Sequence, residues 1–249
     1  MLKRNRIEKE KIMTGKNLKV EDIARMVDHS LLRPTLTDEE FNEGVELVKQ
    51  YRCATVMVAP YDVPKAVEML KGTGIQVSTV IDFPHGSNLT ASKVFQAELA
   101  MDNGASHIDM VIAISRVVAG HFDYVEDDIR AVVEAGHKRS VPVKVIFETC
   151  YLTPEMIVAA CKASENAGAD FVKTSTGYGP SGATLEDVRL MRASCSPKVQ
   201  VKPSGGIRTL DDVLAYRQAG ATMIGTRGTA AILDEAVRRD AEGTLVELE

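Results

Sequence analysis

Short runs of apolar residues alternate along this chain with longer segments whose apolar positions recur at helical spacing. The runs are Met26-Val27-Asp28, Ala54 to Val58, Val77 to Ile81, His107 to Ile112, Val143 to Phe147, Phe171 to Lys173, Val199 to Lys202 and Thr222 to Gly225, eight candidate strands. Between them the helix signals are legible residue by residue. Thr37 and Glu40 form a capping box ahead of Phe41, Val45 and Val48, which share one helical face. Thr153-Pro154-Glu155 supplies a hydroxyl cap, a proline at the first helical position and an acid in the first turn. Thr184 with Asp187 and Thr209 with Asp212 repeat the device, and Gly104, Gly136, Gly168 and Gly220 stand where helices are expected to stop.

A strand and a helix in turn, repeated about every thirty residues, predict right-handed parallel βαβ units. Eight units in 249 residues predict an α/β fold of the closed (β/α)8 TIM-barrel type, one domain over residues 20–249. A doubly wound open sheet would want a glycine-rich turn after its first strand, and Val27-Asp28-His29-Ser30 offers none. Residues 1–19 are rich in Lys, Arg and Glu without an apolar stripe, and are expected to form a loosely packed charged leader.

Composition narrows the function more than the fold. A formal net charge of -5 argues against nucleic acid as a partner. No apolar run reaches membrane-spanning length, and Met1-Leu2-Lys3-Arg4-Asn5-Arg6 leads into charge rather than a signal-peptide core, so the expected setting is the cytoplasm with no membrane partner. Cys53, Cys150, Cys161 and Cys195 have neither zinc-site spacing nor disulfide-scaffold density, and read as ordinary core or near-surface residues. The five histidines show no metal-binding pattern, and no metal is expected. His29 is expected to orient loop backbone or fill a polar pocket.

In such a barrel the reacting groups gather at the carboxyl ends of the strands. Asp28, His29, Asp82, Asp109, Glu148, Lys173 and Lys202 all mark that rim. Lys173 and Lys202 end neighbouring strands, about 4.8 Å apart in a parallel sheet. Two amines so placed between low-dielectric walls are each disfavoured as ammonium, so one should exist partly as free base and attack carbonyls. The bland alternative pairs each lysine with an acid, for example Lys202 with Asp109. Asp109 itself interrupts the apolar run His107 to Ile112, where a carboxylate must be paired or protonated, and either state suits proton transfer. Gly177, Gly205, Gly206 and Gly225 follow the last three strands, where barrels commonly bind phosphate.

With these residues in view, the sequence resembles the deoxyribose-phosphate aldolase family of class I aldolases. The likeness runs from about Val27 to Ile232. It rests on Asp28-His29-Ser30-Leu31-Leu32-Arg33-Pro34, Thr79 to Gly86, Ile108-Asp109-Met110-Val111, Lys144-Val145-Ile146-Phe147-Glu148-Thr149, the Lys173 segment, and Val201-Lys202-Pro203-Ser204-Gly205-Gly206-Ile207-Arg208-Thr209, in that order. The resemblance implies reversible cleavage of 2-deoxy-D-ribose 5-phosphate to D-glyceraldehyde 3-phosphate and acetaldehyde, a step of deoxyribonucleotide catabolism, without metal or organic cofactor. It implies that Lys173 forms the imine, that Asp109 takes part in proton transfer, and that Lys202 lowers the Lys173 pKa and assists. Gly177, Gly205, Gly206 and the Gly225 loop would hold the phosphate, with Asp28, Thr149 and Ser204 as supporting residues.

The sequence departs from the family in one place. After the last strand the family carries Gly-Ser/Thr-Ser-Ser or a close variant, and here stands Gly225-Thr226-Arg227-Gly228-Thr229. Arg227 and Gly228 enter the candidate phosphate loop, where Arg227 could grip phosphate as a planar fork or fit another anion such as a carboxylate. Two other readings therefore stay open: a paralogous Schiff-base aldolase on a different sugar phosphate or hydroxyaldehyde, and a non-catalytic sugar-phosphate binding barrel. Self-association through the outer helices or the tail from Ala236 onward also stays open.

Overall fold

The eight apolar runs do form strands, and each joins a single parallel sheet in the computed structural model, which describes residues 15–248. The strands are β1 (Val27–Leu31), β2 (Thr55–Val58), β3 (Gln76–Ile81), β4 (His107–Val111), β5 (Val143–Ile146), β6 (Phe171–Lys173), β7 (Gln200–Lys202) and β8 (Ile224–Thr226). Their order, β7-β6-β5-β4-β3-β2-β1-β8, is sequential apart from β8 returning to β1. The seam between β7 and β8 closes the barrel with fewer rungs than the other seams. It holds a bridge between Ser204 and Gly225 and the bonds Thr222 N to Val201 O at 3.1 Å and Gly225 N to Pro203 O at 2.9 Å.

Helices surround this barrel: α1 (Val20–Ala24), α2 (Asp38–Tyr51), α3 (Val63–Leu70), α4 (Thr90–Asp102), α5 (Ile114–Val118), α6 (Phe122–His137), α7 (Pro154–Asn166), α8 (Leu185–Ser194), α9 (Leu210–Gln218) and α10 (Thr229–Ala241). The hydroxyl caps work as their spacing predicts. Thr37, Thr153, Thr184 and Thr209 each accept from the amide three residues on, and Glu40 and Asp212 reciprocate. A cap of this kind stabilises a helix by about 1 kcal/mol. The core lies between strands and helices, where Val56, Ile108, Val145, Val172 and Val201 meet Val45, Val132, Ala160, Val188 and Val213, all fully buried.

Some details differ from the pattern read in sequence. β1 runs on to Leu31, pairing with β2 on one side and β8 on the other, so Asp28 and His29 lie inside the strand rather than at its carboxyl end. β8 begins at Ile224, two residues later than expected, and Thr222 still bonds back to β7. Gly136 does not stop its helix. It is buried within α6, where an added β-carbon would stand 2.7 Å from Val143 Cγ2 and 2.9 Å from Val141 O, so glycine there serves close helix-to-sheet approach.

Of the expected leader, residues 1–14 lie outside the described residues. Leu18 is buried and its amide bonds to Leu245 O, while Asn17 bridges Val246 in antiparallel fashion. No helix among the described residues is long and apolar enough to cross a membrane.

Candidate active site

Asp109 sits at the middle of β4, pointing into the barrel, and everything charged inside the barrel converges on it. Register alone explains much of this: Asp109 is the pairing partner of Lys144 on β5, and Lys173 on β6 is the partner of Lys202 on β7. Asp109 Oδ1 accepts from Lys144 Nζ at 2.7 Å and lies 3.4 Å from Ser78 Oγ. Its Oδ2 accepts from Lys173 Nζ at 2.8 Å and from Lys202 Nζ at 2.7 Å. Lys202 also donates to Asp28, whose other oxygen takes the Thr55 hydroxyl. Gly225 leaves room for this arrangement, since a β-carbon there would meet Ser204 Cβ at 2.7 Å and Lys202 Cε at 3.6 Å.

Three lysines thus share two carboxylates, and the groups titrate accordingly. Burial disfavours the Asp109 anion, yet Lys144, Lys173 and Lys202 together hold its carboxyl well below the usual range. Asp28 is likewise held down against burial, mainly by Lys202. The lysines divide. Lys202, which bonds both Asp28 and Asp109, is held above its ordinary value despite burial. Lys144 is lowered by burial, and Lys173 is lowered by burial and then by Lys202 to about 8, against the partial support of Asp109. Lys173 is therefore an amine with an appreciable free-base fraction near neutral pH, facing a neighbour that stays protonated. Burial outweighs the second lysine as the cause.

Above these groups opens a cavity of about 690 Å³. Lys173, Lys202, Asp28 and Ser204 face it, and so do Gly177, Gly205, Gly206, Gly225, Arg227 and Gly228. Gly205 and Gly206 both adopt φ of +83°, a consecutive left-handed turn that other residues would enter with strain, and it leaves bare backbone at the cavity wall. Opposite this turn, His29 Nδ1 lies 2.8 Å from the hydroxyl of Thr229, the first residue of α10. Burial keeps the imidazole neutral by lowering its pKa to about 4, so His29 fixes the start of that helix without adding charge. The Arg208 and Arg227 side chains have no hydrogen bond or ion pair among the described residues, whereas Arg33, also on the cavity wall, is paired with Glu40 at 2.7 Å. A helix start, bare turns and two uncommitted guanidinium groups make this end of the cavity suited to an anion such as phosphate.

Tyr178 crosses the mouth. Its hydroxyl donates to Leu32 O at 2.6 Å and its ring meets Phe83 edge-on at 5.5 Å, so the loops after β6, β1 and β3 are tied together over the cavity. Glu148 holds the same β6 loop from below by accepting from the amide and hydroxyl of Thr176. Thr149 does not reach the cavity; its amide bonds to Thr174 O. Lys144, Arg33 and Arg208 are features that residue-level reading did not single out. Lys144 lies between valines in a strand as apolar as the one holding Asp109, and that anomaly was the available signal.

Comparison with known proteins places this arrangement. Residues 17–234 match the model of the family described as DeoC/LacD family aldolase. The deoxyribose-phosphate aldolase of Rhodopirellula baltica is 44% identical over 215 residues, covering 86% of this chain and 89% of that protein. That of Caldanaerobacter subterraneus subsp. tengcongensis is 46% identical over 224 residues, covering 90% and 97%. Among solved structures, the tetrameric deoxyribose phosphate aldolase of Aeropyrum pernix superposes with a TM-score of 0.81 at 28% identity, covering 87% of this chain and 92% of that one.

Proposed function

This chain belongs to the DeoC/LacD family of aldolases, and from that premise we propose that Lys173 is the amine on which its substrate is cleaved. The reaction is that of an aldehyde-lyase, reversible cleavage of 2-deoxy-D-ribose 5-phosphate to D-glyceraldehyde 3-phosphate and acetaldehyde. The neutral Lys173 amine adds to the C1 aldehyde of the open-chain sugar and loss of water leaves a protonated imine. The C3 hydroxyl then gives up its proton, the C2–C3 bond breaks, and its electron pair flows into the imine. Glyceraldehyde 3-phosphate leaves, and the enamine on Lys173 takes a proton at C2 before hydrolysis releases acetaldehyde.

The single observation that carries this reading is one carboxylate oxygen, Asp109 Oδ2, shared by Lys173 at 2.8 Å and Lys202 at 2.7 Å. Through that oxygen a proton can pass between the amine that must be neutral and the ammonium that must donate. Asp28 keeps Lys202 charged, and Ser204 braces the turn after β7 through its hydroxyl bond to Ser175 O. The substrate's phosphate rests against Gly177, Gly205, Gly206, Gly225 and Gly228, with Arg227 in place of the hydroxyls usual there. The other substrate class that Arg227 raised finds no support in the relatives. We further place the protein in the cytoplasm, in deoxyribonucleotide breakdown, and expect a homo-oligomer, supported by the exposed Phe95 and Leu99 of α4 and by the tetrameric relative.

Borohydride added during turnover of 2-deoxyribose 5-phosphate should reduce the imine and leave a stable adduct on the peptide containing Lys173, detectable by mass spectrometry. Recovery of that peptide unmodified while turnover proceeds would sink the assignment. Lys173→Leu should lose turnover, on the order of 10⁴-fold or more, while still binding the sugar phosphate.

A further inference from the structure

Two thiols lie outside the barrel and bracket the strand that carries Lys173. Cys161 is fully buried on α7, before β6, and Cys195 is half-buried at the C-terminal end of α8, after it. We propose that Cys161 and Cys195 are a redox-active pair that closes to a disulfide in the presence of an oxidised low-molecular-weight disulfide, bracing the β6 segment from outside.

The packing of α7 against α8 sets the two thiols on facing surfaces. Cys161 Sγ lies 3.9 Å from Met191 O on α8, and Glu165, one turn further along α7, accepts from Ser196 N at 3.1 Å. The same face of α7 therefore meets both residues 191 and 196, which sets Cys161 and Cys195 close enough across the contact for each to perturb the other's titration. Arg192 fixes the backbone of the turn by donating to Val199 O at 2.6 Å and to the carbonyls of Cys195 and Ser196.

The chemistry is divided between the partners. The neighbouring Cys161, followed by the smaller pull of Arg192, lowers the Cys195 thiol against burial and the repulsion of Glu165. Cys195 and burial in turn raise Cys161. Cys195 is then the thiolate that attacks, and it is the partner with access to solvent. Its attack on oxidised glutathione forms a mixed disulfide and expels one glutathione thiolate. Cys161 gives its proton to solvent, attacks the Cys195 sulfur and expels the second. Two protein thiols are oxidised by two electrons and one glutathione disulfide is reduced to two thiols. The other cysteines are poor competitors: burial pushes Cys53 up to about 12 and also raises Cys150.

The test treats the intact protein with oxidised glutathione at pH 6 and pH 8, beside the variants Cys195→Ser and Cys150→Ser. The expected result is loss of two hydrogens, a linked pair of peptides containing Cys161 and Cys195, faster reaction at pH 8, and a midpoint of unfolding raised by about 5 °C that reverts with reductant. Cys150→Ser should behave as the parent, Cys195→Ser should form no link, and turnover at 25 °C should persist in the oxidised protein. Glutathione remaining on Cys195 with Cys161 free, a link to another cysteine, or no reaction at pH 8 overturns the pair. A disulfide that forms without raising the unfolding midpoint overturns the brace.

Discussion

The molecule buries lysine in two places, and the two differ in their balance of charge. Outside the barrel, Lys93 of α4 donates to Asp128 at 2.6 Å and to Val111 O at 3.0 Å, and lies 3.5 Å from Asp82. Thr90 completes Asp128 with a bond of 2.8 Å, and Asn88 completes Asp82 through its backbone and side-chain nitrogens. One cation faces two carboxylates, and every donor has an acceptor. Inside the barrel the ratio is inverted, with Lys144, Lys173 and Lys202 on Asp28 and Asp109. A surplus of ammonium in a buried space is relieved most readily by deprotonating one amine. The same residue types therefore make a rivet in one place and a nucleophile in the other, and the count of partners decides which.

The largest test of that difference is Lys202→Met. It removes the donor and also leaves buried Asp28 without its cation, so kcat of the folded protein should fall by about 10² to 10⁴-fold, well beyond the few kcal/mol of stability lost, while the circular dichroism spectrum keeps its native shape. A loss of folding equal to the loss of rate would make the inner cluster a rivet too. Next comes Lys93→Met, which strands Asp128 in the interior. It should cost about 3 kcal/mol in a denaturant titration, with the pH dependence of kcat unchanged for the folded fraction.

The smallest effect is read on the pH axis. With Lys173 at about 8 in the folded protein, the rate of imine formation should rise with pH up to that value as the free-base fraction grows. The sign for stability follows the same proton: below about 8 the folded protein must hold an ammonium that the unfolded chain carries more easily. That penalty is relieved as pH rises from about 8 towards the ordinary lysine range. Lys144→Met removes the surplus cation and leaves more of Asp109 to Lys173, so the acid limb should move to higher pH by less than about one unit. A limb that stays still would detach the amine's acidity from the charge count.

How much of this was legible depends on where each charge sits. Lys173, Lys202 and Asp109 stood out because a charge in an apolar strand has no solvent to face. Lys144 broke the same rule, yet strand pattern alone does not show which of five inward charges will touch. Lys93 was invisible for a different reason: lysine on an amphipathic helix is ordinary, and only the packing of α4 against α6 buries it. The barrel itself was readable because periodicity and caps are local. The extra length of β1 and the burial of Gly136 depend on neighbours distant in sequence. The same limit applied to Tyr178, whose partner Leu32 lies 146 residues away.

The sparsely bonded seam between β7 and β8 gives the barrel a compliant side, like the overlap of a rolled sheet. The candidate phosphate site straddles it, with Gly205 and Gly206 on one lip and Gly225 to Gly228 on the other. An anion gripped from both lips supplies rungs that the strands leave out, so the ligand is itself a clasp. Amide hydrogens along that overlap should exchange with solvent sooner than those of β3 and β4, and should slow when the clasp is closed.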